Sequence, residues 1–221
     1  MGNRMKAIVF GGTSGIGKSI ALNLKKTCEE VISVGRKEAD TSSLKSIKKF
    51  TNKHNKTDIL VLNTGGPPDL KFHKISNNEW QRNFNKLFLS FVNICKDIKV
   101  NDNGYIFLIS SFITREPSED LIISSSIRSG FISLFKSLSR IYKNKKICFI
   151  NIAPGPIKTE RLKNLLKKEG TTLKKFEKTM PTQNIPEPNE IGLFVNFVVK
   201  NKIKSFNGVT IPFDSGLLKQ I

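Results

Sequence analysis

Ile8-Val9-Phe10-Gly11-Gly12-Thr13-Ser14-Gly15-Ile16-Gly17-Lys18-Ser19-Ile20 is the stretch on which the fold turns. A short apolar run enters a glycine-dense turn, and an amphipathic run, Ile16 to Leu24, leaves it. The pattern predicts a strand, a tight turn and a helix whose N-terminal amides face outward. Gly11 and Gly15 let the backbone turn sharply and approach a ligand. Gly17 lets the helix sit close to the sheet. Free amides and the helix dipole favour a pyrophosphate at that point, with Thr13, Ser14 and Ile16 beside it. A strand–helix turn that merely needs small residues has the same local pattern, so the order of the surrounding elements must decide.

That order alternates. Lys6 to Phe10 is a strand and the helix after it runs to about Lys26; Val31 to Val34 is a β-branched strand ending at Gly35-Arg36-Lys37. Asp40-Thr41-Ser42-Ser43 caps a helix from Leu44 to His54. Asp58 to Leu62 is a strand, ended abruptly by Asn63-Thr64-Gly65-Gly66-Pro67-Pro68. Ser76 to Ile98 reads as one long helix with Trp80, Phe84, Leu87, Phe88, Phe91 and Ile94 on its apolar face. A turn at 101–104 precedes a strand, Tyr105 to Ile109, that ends at Ser110 and Ser111. A charged excursion leads to a helix from Ser124 to Ile141, on which Ser124 and Arg128 share a face. Lys146 to Ile152 is a strand, 160–188 a charged, mobile excursion suited to a substrate lid, Glu187 to Val199 a helix, and Gly208 to Asp214 a last strand and turn. The alternation predicts an α/β fold, a doubly wound, mainly parallel sheet with helices on both faces, in one domain over 1–221.

Composition narrows the classes. The 221 residues are 38% hydrophobic and 25% charged, as in a globular chain with a sizeable core. No run of eighteen apolar residues suggests a membrane span, and the start lacks an apolar signal region, so a cytoplasmic protein without a membrane partner is expected. Gly2 is a poor myristoylation site because Lys6 stands where Ser or Thr is needed. Cys28, Cys95 and Cys148 read as buried thiols, and with His54 and His73 they make no recognised zinc spacing, so no metal is expected. The net charge of +19 is spread over many segments without a basic stripe interleaved with aromatics, which argues against nucleic acid and for anionic ligands.

The loop after the second predicted strand bears on the ligand. In a dinucleotide fold the adenosine ribose lies there, where an acidic residue binds its diol. Arg36 and Lys37 instead offer positive charge suited to a ribose 2′-phosphate, so NADP(H) is the expected cofactor, with NAD(H) still open. Asp40 is placed on the same adenosine side. Asn63, Thr64 and Gly65 lie at the ligand end of the next strand.

Over nearly its full length the chain resembles the short-chain dehydrogenase/reductase family. Phe10 to Gly17 looks like that family's cofactor motif, with Phe10 for the usual threonine. Asp58 to Gly65 is similar to its Asp-Ile-Leu-Val-Asn-Asn-Ala-Gly segment, and Gly208 with Asp214-Ser215-Gly216 to its C-terminal pattern. Pro154-Gly155, followed by Ile157 and Thr159, resembles the segment that holds the nicotinamide carboxamide. The resemblance implies a Rossmann domain with a seven-stranded sheet, and a homodimer or homotetramer built through helices 76–98 and 124–141. It also implies a catalytic serine, tyrosine, lysine and asparagine. Counting from Ser111, the serine remains, but Ser124 stands for the tyrosine, Arg128 for the lysine and Leu87 for the asparagine. Arg36 and Asp58 lie too close in sequence for the usual third strand, so that region is shortened. Ser…Arg and Asn-Thr-Gly-Gly-Pro-Pro are similar to atypical members related to 3-oxoacyl carrier-protein reductases.

An aliphatic hydroxyl is a far poorer acid than a lysine-assisted tyrosine, and Arg128 cannot usefully exchange protons. Arg128 can still hold the nicotinamide ribose and stabilise charge on a carbonyl oxygen, Ser111 and Ser124 can orient that oxygen, and water can supply the proton. The expected function is thus an oxidoreductase acting on a small-molecule or acyl carbonyl substrate. Two alternatives stay open: a dinucleotide-binding sensor or structural partner without turnover, and a fold remnant without a nucleotide.

Overall fold

The structure, a computed structural model, describes residues 5–220; Gly2 lies outside them. Six strands, β1 (Lys6–Phe10), β2 (Glu30–Val34), β3 (Lys56–Leu62), β4 (Lys99–Ile109), β5 (Cys148–Pro154) and β6 (Val209–Phe213), form a sheet in the order β2-β1-β3-β4-β5-β6. Every pairing is parallel, with Val9 opposite Ser33 on one side and Val61 on the other. The doubly wound α/β fold expected from the alternation is present.

Parallel strands need helical crossovers, which cover both faces of the sheet and make the strands apolar throughout. Side-chain alternation sends Ala7, Val9, Val61, Phe107 and Ile150 to the face under α1 (Gly15–Leu24) and α8 (Pro188–Lys200). Ile8, Phe10, Leu60, Leu108 and Phe149 point to the face under α2 (Leu44–Lys53), α4 (Ser90–Asp97) and α5 (Ile122–Ile141). Neighbours of β1 are reached in opposite directions along the chain, so the loops after β1 and β3 separate and leave a crevice at the C-terminal ends of these strands.

The seven-stranded sheet implied by the resemblance is a six-stranded one. The segment between β2 and β3 holds a loop and α2, enough for one crossover and no further strand–helix unit. β2 is therefore an edge strand, and its residues are only partly buried until Val34. Two other expectations shift. The turn at 101–104 is an irregularity inside β4, which pairs with β3 on either side of it, and Asn103 takes a left-handed φ of 62°. The helix over 76–98 is interrupted. α3 (Asn77–Phe84) passes through one π turn, Asn85–Leu89, before α4. The 160–188 excursion holds α6 (Glu160–Lys168) and α7 (Leu173–Glu177), packed on a small cluster of Leu162, Leu166, Met180 and Ile185.

Asp58 ties two strand starts together. Its carboxylate accepts the Lys6 backbone N–H and the Asn101 side-chain amide, each at 2.7 Å. Asp58→Ala removes both acceptors and leaves the donors to compete for water. A loss of about 2 kcal/mol in unfolding free energy is expected by urea titration, with the m-value unchanged.

Candidate active site

The glycine turn builds one wall of a cleft of about 430 Å3 at the crevice. Gly11 has φ +62°, and a Cβ there would meet the Asn63 amide nitrogen at 2.5 Å. Gly17 is tighter still, since a Cβ on it would lie 2.1 Å from the Gly11 carbonyl oxygen. These two positions seat α1 directly on the turn. Ser14 is its N-cap but makes no side-chain cap, and no acidic residue stands in the first turn. The leading amides and the helix dipole therefore lie uncapped beside Ser14, Gly15 and Ile16, which line the cleft. A turn that a β-carbon would block and a helix N-terminus without a cap fit the phosphates of a dinucleotide.

The opposite wall comes from the ends of β4 and β5 and the start of α5. Ser111 follows β4 in extended backbone, and its carbonyl accepts the Thr114 hydroxyl at 2.8 Å. Ser124 and Arg128 are one turn apart on α5 and are 5% and 7% exposed. Arg128 Nε donates to Ser124 Oγ at 3.1 Å, and Nη1 donates to the Ile109 carbonyl at 3.2 Å. Ser124 thus accepts from a cation and keeps its own proton to donate. Nη2 of Arg128 has no hydrogen-bond partner among the described residues. Ser111, Ser124 and Arg128 all line the cleft, so the tertiary structure brings together the three residues chosen from spacing.

Among the other predicted residues, Gly11, Asn63, Thr64, Gly65, Pro154, Gly155, Ile157 and Thr159 also line it. Thr159 caps α6 through the Leu162 N–H, with its methyl beside Gly15. Thr64 is hydrogen-bonded to Thr41 at 2.8 Å. Thr13, Gly17, Arg36, Lys37 and Asp40 are not among the cleft-lining residues; Thr13 packs against Gly35, Gly17 is buried against the Gly11 carbonyl, and Arg36 and Lys37 are exposed at the end of β2.

A family model described as enoyl-(acyl carrier protein) reductase matches residues 38–218. The chain belongs to the short-chain dehydrogenase/reductase family. It is 27% identical to the 3-oxoacyl-(acyl-carrier-protein) reductase of Buchnera aphidicola subsp. Schizaphis graminum, over 96% of each chain. A short chain dehydrogenase family protein from Francisella tularensis superposes with a TM-score of 0.88 at 21% identity, over 99% of this chain and 100% of that one. A small-chain dehydrogenase solved in complex with NADPH superposes at 0.83 with 23% identity, over 97% and 98%.

Against the family pattern, three charged residues went unrecognised in the sequence. Glu38 accepts the Gly35 N–H at 2.8 Å, so a carboxylate stands at the end of β2 beside the exposed Arg36 and Lys37. Asp40 is turned inward on its own loop, where it accepts the Ser42 N–H and hydroxyl. Burial raises its pKa, but those bonds and the charges of Arg36 and Lys86 outweigh this and hold the carboxyl below its ordinary value. Lys86 stands on the π turn, and Nζ donates to the Gly66 carbonyl at 3.2 Å. The next residue, Leu87, sits where the family asparagine is expected and is buried with Ile123 and Ile127. A helical wheel cannot find Lys86, because the extra residue in the π turn resets the facing of every side chain around it. Arg161, on the first turn of α6, lines the cleft and donates to the Pro67 carbonyl at 3.3 Å.

The site is rich in positive charge. Burial, then the nearby Arg161, lowers the Arg128 pKa to about 10, so it stays charged near neutrality. Burial, then Arg161, Arg128, Arg36 and Arg82, lowers Lys86 from 10.5 to about 8. The folded protein therefore binds fewer protons at Lys86 than the unfolded chain between these two values, so this group makes stability rise with pH across that window. Lys86→Met removes the contribution. The variant is expected to gain Tm relative to the parent at about pH 7, and the gain is expected to shrink through that window and vanish above about pH 11.

Proposed function

We propose that the protein is an NADP(H)-dependent oxidoreductase that interconverts a carbonyl and an alcohol on a small or acyl substrate. The observation that carries this reading is the buried Arg128–Ser124 pair at 3.1 Å on the cleft lining, in which Ser124 Oγ accepts from Nε and keeps its own proton to donate. The nicotinamide supplies or accepts the hydride when bound. Gly11, Ser14, Gly15, Ile16 and Gly17 form the phosphate cradle. Asn63 braces it by donating to the Gly11 carbonyl at 3.4 Å, and Thr64, Gly65, Pro154, Gly155, Ile157 and Thr159 complete the cofactor walls on the cleft, with Thr13 set back against Gly35.

Charge gathers on the carbonyl oxygen as it becomes an alkoxide. Ser111 and Ser124 donate to that oxygen and Arg128 stabilises its charge. Arg128 also polarises the Ser124 hydroxyl through Nε, which strengthens Ser124 as a donor without making it an acid. A water supplies the proton that completes the alcohol, and the reverse direction returns it. Arg36 and Lys37 hold the 2′-phosphate, and the Glu38 carboxylate is drawn away from it by the Gly35 N–H. Residues 160–188 act as the lid of a one-domain protein. Helices 76–98 and 124–141 join two copies, and the exposed Phe84, stacked on Phe88 at 5.0 Å between ring centroids, lies on that face.

Replacement of the family's tyrosine and lysine by Ser124 and Arg128 favours a second reading, a dinucleotide-binding sensor without turnover. Calorimetric titration followed by a carbonyl panel separates the two. Saturable NADPH binding with carbonyl-dependent NADPH oxidation supports the oxidoreductase, and binding without oxidation supports the sensor. Ser124→Ala is expected to lower kcat about 100-fold while leaving NADPH affinity unchanged. The Arg36→Ala, Lys37→Ala double variant is expected to bind NADPH about tenfold more weakly and NADH as before; equal losses for both cofactors would remove the 2′-phosphate assignment.

A further inference from the structure

Arg161 reaches from α6 across the cleft. Its Nη2 donates to the Pro67 carbonyl at 3.3 Å, and its guanidinium lies over Gly66, where an added Cβ would come 2.2 Å from Nη1. The planar group is thus held by backbone at the exit of β3, while Ser111, Ser124 and Arg128 face the same cleft. Arg128, Arg161 and Lys86 interact repulsively, and among the described residues none of them is ion-paired with a carboxylate. The acid on the cleft lining is Glu160, which is exposed and paired with Lys163 at 2.6 Å. Such a cluster raises the free energy of the empty site and lowers that of a site holding an anion.

The chemistry around Arg161 indicates which anion. The phosphate cradle lies at Gly11–Gly15 with Thr159 against it, whereas Arg161 lies over Gly66 and Pro67 on the helix that also carries Leu162 and Leu165, and these two leucines line the cleft together with Ile113 and Leu121 as its apolar part. A guanidinium fork next to hydrocarbon matches a carboxylate on a short aliphatic chain. Resting on the oxidoreductase reading above, we infer that Arg161 and this wall form the substrate subsite. They take a short aliphatic oxo acid whose carboxylate pairs with Arg161 while its carbonyl meets Ser124 and Arg128. Lys86, behind Gly66, adds to the attraction at longer range.

The test compares 2-, 3- and 4-oxopentanoate with their methyl esters, using NADPH and the full chain. Parent, Arg161→Met and Arg161→Lys are assayed, and NADPH affinity is titrated for each. At least one acid is expected to exceed its ester in kcat/KM by about 10–100-fold. Arg161→Met is expected to erase that preference by raising KM for the acid, with KM for the ester and the NADPH Kd unchanged, and Arg161→Lys to restore part of it. Esters reduced as well as acids by the parent would overturn the subsite while leaving the oxidoreductase standing. Arg161→Met weakening NADPH in parallel would also overturn it, by assigning the guanidinium to a cofactor phosphate. If no carbonyl is reduced, calorimetry of the acids against the NADPH complex decides. Binding lost in Arg161→Met supports the carboxylate subsite although the catalytic reading has failed, and absence of binding overturns both.

Discussion

A β-carbon on Gly17 would sit 2.1 Å from the carbonyl oxygen of Gly11, and the rest of the molecule depends on its absence. Without it α1 settles onto the turn that leaves β1, and its first amides open into the crevice between β1 and β3. The Asn63 amide sits under the same turn, so the end of β3 is gauged against the end of β1. Any larger residue at Gly17 would lift the helix, part it from α8 and close the space into which the amides point. One contact thereby couples sheet packing to the site.

The other organising constraint is electrostatic. The chain carries +19 overall, but the surface lysines are solvated and screened, and most of that charge acts only at long range. Arg128 and Lys86 differ because burial removes water from them, and the exposed Arg161 beside them adds its repulsion to both. Backbone carbonyls at Ile109, Pro67 and Gly66 each take one donor from this trio, which fixes the cations in place without neutralising them. Stability is given up for a field directed at the cleft.

The missing third strand shows how little of the site depends on the sheet's far edge. β2 is short and half exposed, and the chain returns through α2 directly to β3. The six-stranded sheet keeps the β1–β3 crevice, and beyond β2 Asp40 is spent on its own Ser42 turn.

Much of the fold was legible because its signals are local. Strand runs such as Val31–Val34 and Asp58–Leu62, the glycine turn, and the one-turn spacing of Ser124 and Arg128 each follow from a few adjacent residues. The short chain between β2 and β3 likewise showed that this region is reduced, but that the sheet has six strands rather than seven was decided by the tertiary structure. Lys86 and Arg161 were not legible, because each acts through a partner distant in sequence or through an irregular turn, whereas Glu38 bonds the Gly35 N–H only three residues back and was within reach of a local reading. Only the tertiary structure placed Lys86 on Gly66, through a π turn that no periodicity encodes, and brought Arg161 across to Pro67, 94 residues back in the chain. Backbone geometry is written in neighbouring residues, whereas the field at a site is summed over charges that only folding brings close.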